Sequence, residues 1–248
     1  MLKAPKFWYK KKDTFYSSIL YPFSLFFRFG TIFRNIFSIR KNSPIPIICI
    51  GNIVVGGAGK TPVSIKIGNL LIKAGYNPHF ISKGYAGIIK ESTLVEPWHS
   101  AISVGDESIL LSEVACTWIG NDRVKSSFLA KNNGADCLIM DDGFQNPSIG
   151  KDFSIIVINS EQEFGNKKVI PSGPLRESIK KGLSRTNLIV VIGDITYDLK
   201  KSIPSQIPIF KANFDIKKEN EIFKGKSITA FAGIAYPEKF FISLKEQG

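Results

Sequence analysis

Cysteine and histidine are scarce in this chain of 248 residues, which has three of the first and two of the second. Cys49, Cys116 and Cys137 are odd in number and far apart. That spacing fits neither a disulfide framework nor a metal-ligand cluster. They read as buried free thiols in a reducing compartment. His79 and His99 alone are too few to suggest a zinc site. The uncharged, aromatic-rich run 14–27 is shorter than the roughly 20 residues of a membrane span, and Pro22 and Arg28 interrupt it further. No small-residue cleavage site follows it, which counts against a signal peptide. Internal repeats and low-complexity segments are lacking as well.

Acidic residues are nearly missing from residues 1–43, where nine Lys and Arg stand against Asp13. Two thirds of the net charge of +12 therefore lies at one end. There the cations alternate with Phe15, Tyr16, Ile19, Phe23, Phe26, Phe29, Phe33 and Phe37. This mixture suits helices lying on an anionic membrane surface. The plainer alternative is a helix packed on the core with its basic side in water. Charge placed beside aromatic, membrane-like sequence gives little support to a nucleic-acid partner, and no obligate protein partner is indicated.

What the chain does have is a phosphate cradle at residues 45–63, I-P-I-I-C-I-G-N-I-V-V-G-G-A-G-K-T-P-V. A β-branched run leads into Val54, Val55, Gly56, Gly57, Ala58 and Gly59, then Lys60 and Thr61, then helical spacing. Glycines allow backbone N–H groups to turn inward. The helix N-terminus adds positive character. The Lys60 ammonium can reach the β/γ-phosphates, and the Thr61 hydroxyl can ligate Mg²⁺. Val54 occupies the place of the first glycine in the strict G-x-x-x-x-G-K-[ST] pattern. Pro44 and Pro46 mark the boundary before it.

Short apolar runs alternate with helical segments from there on, which predicts an α/β fold with a doubly wound, mostly parallel sheet of P-loop NTPase type. The expected divisions are membrane-surface helices at 1–43, a nucleotide-binding kinase domain at 44–185, and the start of a smaller, partial C-terminal α/β lobe at 186–248. A strand is expected to run into Val104, ahead of Gly105, Asp106 and Glu107. Another should end at Asp141 and Asp142, about 80 residues after Lys60.

An acid at such a strand end supports Mg²⁺ in P-loop proteins, although D-D-G is also good turn chemistry. Asp106 can accept a hydroxyl proton or simply cap a helix. Gln145 can orient a nucleophile or phosphate. Lys83, Arg123 and Arg176 can clamp phosphate or lie solvated at the surface. On these residues alone, a membrane-recruited regulatory NTPase competes with a kinase.

Several stretches together resemble the tetraacyldisaccharide 4′-kinase family of lipid A biosynthesis. They are residues 51–62 (G-N-I-V-V-G-G-A-G-K-T-P), 82–87 (S-K-G-Y-A-G), 104–107 (V-G-D-E), 141–145 (D-D-G-F-Q), 171–177 (P-S-G-P-L-R-E) and 231–238 (F-A-G-I-A-Y-P-E). That family also lacks the first P-loop glycine. The resemblance implies transfer of the ATP γ-phosphate to the 4′-hydroxyl of a tetraacyldisaccharide 1-phosphate, at the cytoplasmic face of the inner membrane. It implies Lys60 and Thr61 at phosphate and Mg²⁺, and Asp106 as base with Glu107 beside it. It further implies Asp141 and Asp142 as the metal-side acids, Asp142 counted also as catalytic, and Tyr85, Arg123 and Arg176 lining the acceptor cleft. Asn146 replaces a frequent histidine, and Lys83 replaces an arginine. Family members usually continue beyond the position of Gly248 with an Asp-His motif, and a chain without it is expected to bind nucleotide or lipid with doubtful turnover.

Overall fold

The computed structural model describes residues 4–10, 12–214 and a few later positions. The motif at 231–238 lies outside the described residues except for Phe231; a strand is also expected over 227–232, but the described positions there, 227 and 229–231, do not form one.

Eight strands make one sheet: β1 (Ile47–Gly51), β2 (Pro78–Ser82), β3 (Thr93–Leu94), β4 (Thr117–Ile119), β5 (Cys137–Asp141), β6 (Phe153–Asn159), β7 (Leu188–Ile192) and β8 (Ile209–Ala212). Their spatial order is β3-β4-β2-β5-β1-β6-β7-β8. Every pairing is parallel except β3 with β4. The central strands are apolar almost throughout, as a sheet covered on both faces requires. Alternate residues serve opposite faces. Leu138 and Met140 enter one core with Ala130 and Leu183, while Ile139 enters the other with Val63 and Leu111.

The helices are α1 (Phe15–Ile19), α2 (Tyr21–Phe37), α3 (Lys60–Lys73), α4 (Ala101–Val104), α5 (Asp106–Ser112), α6 (Arg123–Asn132), α7 (Ile179–Leu183) and α8 (Tyr197–Ser202). Two expectations change. The segment before Gly105 is the helical turn α4, not a strand, because the Ser100 hydroxyl caps it by accepting from the Ser103 amide. The break placed at 185/186 does not interrupt the sheet: β7 pairs with β6 from Ile155↔Leu188 to Asn159↔Ile192, and β8 pairs with β7. Among the thiols, Cys49 and Cys137 are buried but Cys116 is exposed.

β1 lies between β5 and β6, the point where the chain switches from building one side of the sheet to the other. Ligands of open α/β sheets bind beyond the strand carboxyl ends at such a point. The register Ile50↔Asp141 brings the last residue of β5 beside the glycine loop that leaves β1.

The N-terminal helices leave most of their apolar surface in solvent. Phe15, Phe26, Phe29, Phe33, Ile36 and Phe37 are each at least 64 % exposed. Only Ser17 is buried in α1 and only Ser24 in α2. Both serines contact the loop that follows β6: the Ser24 hydroxyl donates to the Val169 carbonyl at 2.8 Å and accepts from the Ser172 amide at 3.1 Å. The Ser172 hydroxyl donates to the Ser17 carbonyl. The Trp8 indole donates to the Pro171 carbonyl at 3.0 Å. Among the described residues, no helix is long and apolar enough to cross a membrane.

Candidate active site

The loop 52–59 turns from β1 into α3. Gly59 adopts a left-handed φ of 83° immediately before the helix, and a Cβ there would lie 2.3 Å from Ile192 Cδ1. The left-handed φ favours glycine, and a larger residue would also have to displace the end of the Ile192 side chain. The first amides of α3 have no intrahelical acceptor, and no side chain caps them. A helix of fourteen residues thus directs free N–H groups and its positive end at the loop.

Asp141 lies directly under this turn and is 1 % exposed. Its Oδ2 accepts from the Thr61 hydroxyl at 3.1 Å and its Oδ1 from the Ser64 hydroxyl at 2.7 Å. Burial pushes its pKa up, opposed by the Ser64 hydrogen bond and by the charge of Lys60. Ser64 is absent from the sequence-based set. Its signal was its position three residues after Thr61, on the same helix face.

Asp142 lies outside the strand, with a left-handed φ of 48° and a side chain 37 % exposed. Its Oδ1 lies 3.7 Å from Lys60 Nζ and 3.0 Å from Arg176 Nη1. The sequence pair Asp141-Asp142 therefore divides. Asp141 faces the Thr61 and Ser64 hydroxyls, and Asp142 faces two cations.

Arg176 arrives on the loop 165–177, which pairs with the phosphate loop. Val55 N–H donates to the Pro174 carbonyl at 2.8 Å, and Arg176 N–H to the Ile53 carbonyl at 2.8 Å. Val54 forms an isolated antiparallel bridge with Leu175 and is 6 % exposed. This bears on the expected phosphate contacts: the Val55 amide is already engaged, and the Val54 side chain belongs to the core. The open part of the cradle is 56–61. Gln145 is also occupied. Its Nε2 donates to the Asn52 carbonyl at 2.8 Å and to Glu177 Oε1 at 3.2 Å, and its Oε1 accepts from Arg176 at 3.2 Å.

Asp106 and Glu107 open α5. Asp106 Oδ1 accepts from the Glu107 amide at 3.0 Å. Burial raises the Glu107 pKa, as does the charge of Asp141, while Lys60 lowers it. Glu107 is thus coupled to the acids under the loop. Tyr85 is 65 % exposed on the turn 84–87, which packs against this helix start. Gly105 has a φ of 88°, and a Cβ there would lie 2.4 Å from the Tyr85 carbonyl. Substitution of Gly105 by alanine is expected to destabilise the fold by about 2–4 kcal/mol through clash and backbone strain. Urea unfolding of the variant measures this, and an unchanged midpoint would refute the close packing.

Arg123, expected in the acceptor cleft, is only 4 % exposed. Its guanidinium donates to the Gly120 carbonyl. Burial lowers its pKa to about 10, partly offset by the charge of Asp142. The side chain is beneath the surface, where it contributes positive field more readily than direct contact.

Oxygen donors suit a hard divalent cation. The Thr61 hydroxyl and the Asp141 carboxylate, one hydrogen bond apart, form such a pair. No cluster of three or more His, Cys, Asp or Glu suited to a metal occurs among the described residues.

Residues 16–248 match the family model described as tetraacyldisaccharide-1-P 4′-kinase. The tetraacyldisaccharide 4′-kinase of Paramagnetospirillum magneticum is 42 % identical over 250 residues, an alignment covering 100 % of this chain and 76 % of that protein. That of Gluconobacter oxydans is 38 % identical, covering 99 % and 75 %. A crystal structure of the LpxK protein from Aquifex aeolicus, described as an "apo" form in complex with ATP, superposes with a TM-score of 0.74 at 26 % identity. It covers 93 % of this chain and 78 % of that one. The chain spans about three quarters of the length of these relatives.

Proposed function

The chain belongs to the tetraacyldisaccharide-1-P 4′-kinase family, the ATP-dependent lipid kinases of lipid A biosynthesis, and on that premise we propose how its residues divide the work. The observation that carries the proposal is Asp141 held under Thr61 and Ser64, with Lys60 and Asp142 at the mouth of the same loop. Phosphoryl transfer needs little covalent chemistry from the protein, so positioning and charge neutralisation decide the rate. The amides at the start of α3 and Lys60 bind the β/γ-phosphates of ATP. Thr61 and Asp141 would hold Mg²⁺, which supplies further neutralisation of phosphate charge when bound. Arg176, now paired with Asp142, is placed to exchange that carboxylate for a phosphoryl oxygen.

Asp106 is the base toward the 4′-hydroxyl of the tetraacyldisaccharide 1-phosphate. It is exposed at the start of α5, where an incoming acceptor can reach it. Glu107 beside it adjusts the local field. Tyr85, on the turn packed against Gly105, presents an exposed ring to the sugar. Transfer of ³²P from γ-labelled ATP to the disaccharide acceptor tests this assignment. Loss of transfer in Asp106→Asn, with nucleotide binding retained, is the expected result, and an unchanged rate would remove Asp106 from the mechanism.

The exposed faces of α1 and α2 hold the enzyme on the cytoplasmic leaflet of the inner membrane. Arg28, Arg34 and Arg40 supply charge for anionic headgroups. Burying an exposed Phe side chain contributes about 1.5–3 kcal/mol. The combined change Phe26→Ser, Phe29→Ser, Phe33→Ser and Ile36→Ser is therefore expected to weaken partition onto anionic vesicles by at least about 100-fold. Vesicle flotation reads this out. Undiminished flotation would show that another surface makes the contact.

A further inference from the structure

Glu177 is the one residue of the 171–177 motif whose carboxylate turns inward, with a side chain 5 % exposed. A buried carboxylate is costly unless it is paired and hydrogen-bonded. Its partners are Arg185, whose Nη2 donates to Oε1 at 2.7 Å and to Oε2 at 2.6 Å, and Gln145, whose Nε2 donates to Oε1 at 3.2 Å. The Arg185 guanidinium in turn lies 4.5 Å from the centre of the Phe144 ring. The pair thus braces the segment 144–145 immediately after Asp142.

The Gln145 amide has two ends, and the site uses both. Nε2 faces the Asn52 carbonyl and the Glu177 carboxylate, and Oε1 faces Arg176. Turning the amide over would set oxygen against two acceptors and nitrogen against a guanidinium. All three contacts would become repulsive. With Oε1 held in place, Arg176 Nη1 is shared between Gln145 and Asp142 Oδ1, the oxygen that also faces Lys60.

We propose that Glu177, clamped by Arg185, is a positioning residue that fixes the orientation of the Gln145 amide and through it the placement of Arg176 at the phosphate loop. The inference rests on the reading of Lys60, Asp142 and Arg176 as parts of the phosphoryl-transfer site. It accounts for a buried carboxylate, paired with the partly exposed Arg185, that touches neither the phosphate cradle nor the Asp106 turn.

Steady-state phosphoryl transfer by the full chain tests it. Glu177→Gln keeps the shape of the side chain but supplies both a donor and an acceptor, so Gln145 loses its single orientation. The kcat is expected to fall about tenfold, with KM for ATP changed less than about threefold. In a Gln145→Leu background, adding Glu177→Gln should change kcat no further, because the carboxylate acts through the amide. Arg185→Lys should retain most activity, since a single nitrogen makes both contacts to Glu177, whereas Arg185→Gln should behave like Glu177→Gln. If Glu177→Gln does not fold, Arg185→Gln is judged by the same criteria.

An unchanged kcat in Glu177→Gln, or an equal loss with and without Gln145, overturns the inference. Asp142→Asn, measured alongside, separates the two levels of argument. If Asp142→Asn loses transfer while Glu177→Gln does not, the positioning role alone is wrong. If Asp142→Asn keeps full activity, the reading of the site falls and the positioning role falls with it.

Discussion

Lys60→Ala is expected to lower phosphoryl transfer by about 10³-fold while leaving the fold intact. On the proposed reading the lysine supplies a fixed positive charge where negative charge shifts on the transferred phosphoryl oxygens, and losing one preorganised donor of this kind costs about 10²–10³ in kcat. Its contribution to folding is small by comparison. Its ion pair with Asp142 is 3.7 Å long, and the acid is 37 % exposed on its side chain. Pairs of that kind contribute at most about 1 kcal/mol. A γ-labelled ATP assay and a thermal melt on the same preparation make the comparison. Retained transfer, or a collapse in melting temperature matching the loss of activity, would show that Lys60 supports the loop's structure and not the reaction.

Asp141→Asn should lose transfer by a similar factor of about 10³ and yet raise the melting temperature by about 2–4 °C. The two effects have one cause. Asp141 is buried beneath the loop, and burial holds its pKa above the ordinary carboxylate value. A carboxyl that holds its proton more tightly when folded stabilises the fold fully below its unfolded pKa. That contribution disappears as pH rises through the folded pKa. At neutral pH that stabilisation is lost, and the buried carboxyl costs the native fold stability. Asparagine can still accept from Ser64 or Thr61 and has no proton to lose. The gap in melting temperature between variant and native protein should be widest at neutral pH and should narrow on acidification. Thermal melts across an acidic-to-neutral series measure it. A variant less stable than the native protein at every pH would mean that Ser64, Thr61 and Lys60 outweigh the burial.

The two expected results follow from one proposal, that the charges of the site are arranged for a bound triphosphate and not for the empty fold. On that proposal Asp141 costs the empty fold stability, and Asp142 faces the two cations proposed to bind phosphate. The N-terminal helices follow a related pattern. Their apolar faces are left exposed while their few buried serines hydrogen-bond to the loop that carries Arg176. The helices proposed to bind the membrane surface and the site geometry thus share one segment, residues 165–177.

The sequence determined a great deal by itself. β2 and β7 coincide with the apolar runs at 78–82 and 188–192; α3 lies one residue earlier at each end than the helical spacing at 61–74, and α6 starts one residue before that at 124–132. Such segments are legible because local periodicity, β-branching and capping act within a few residues. The phosphate loop is legible for the same reason, since glycine, lysine and threonine at fixed offsets carry their own mechanism. The helical turn before Gly105 reads as a strand in sequence because four residues are too few to show a period, and only the Ser100 cap distinguishes them.

Only the tertiary structure decided what the acids and the late loop do. Asp141 and Asp142 are neighbours in sequence and equal in chemistry, and nothing local tells them apart. The parallel register of β5 against β1 carries Asp141 under Thr61, while the left-handed turn that follows swings Asp142 out to Lys60 and Arg176. Arg123 is expected to clamp phosphate, line the acceptor cleft or lie in solvent, yet it is buried at the first position of α6 with its guanidinium on the Gly120 carbonyl. The engagement of Val55 with Pro174, and of Gln145 with Glu177, depends on segments more than thirty residues or a hundred residues apart. Pairings across such distances are fixed by strand register and core packing, which no local pattern of residues records.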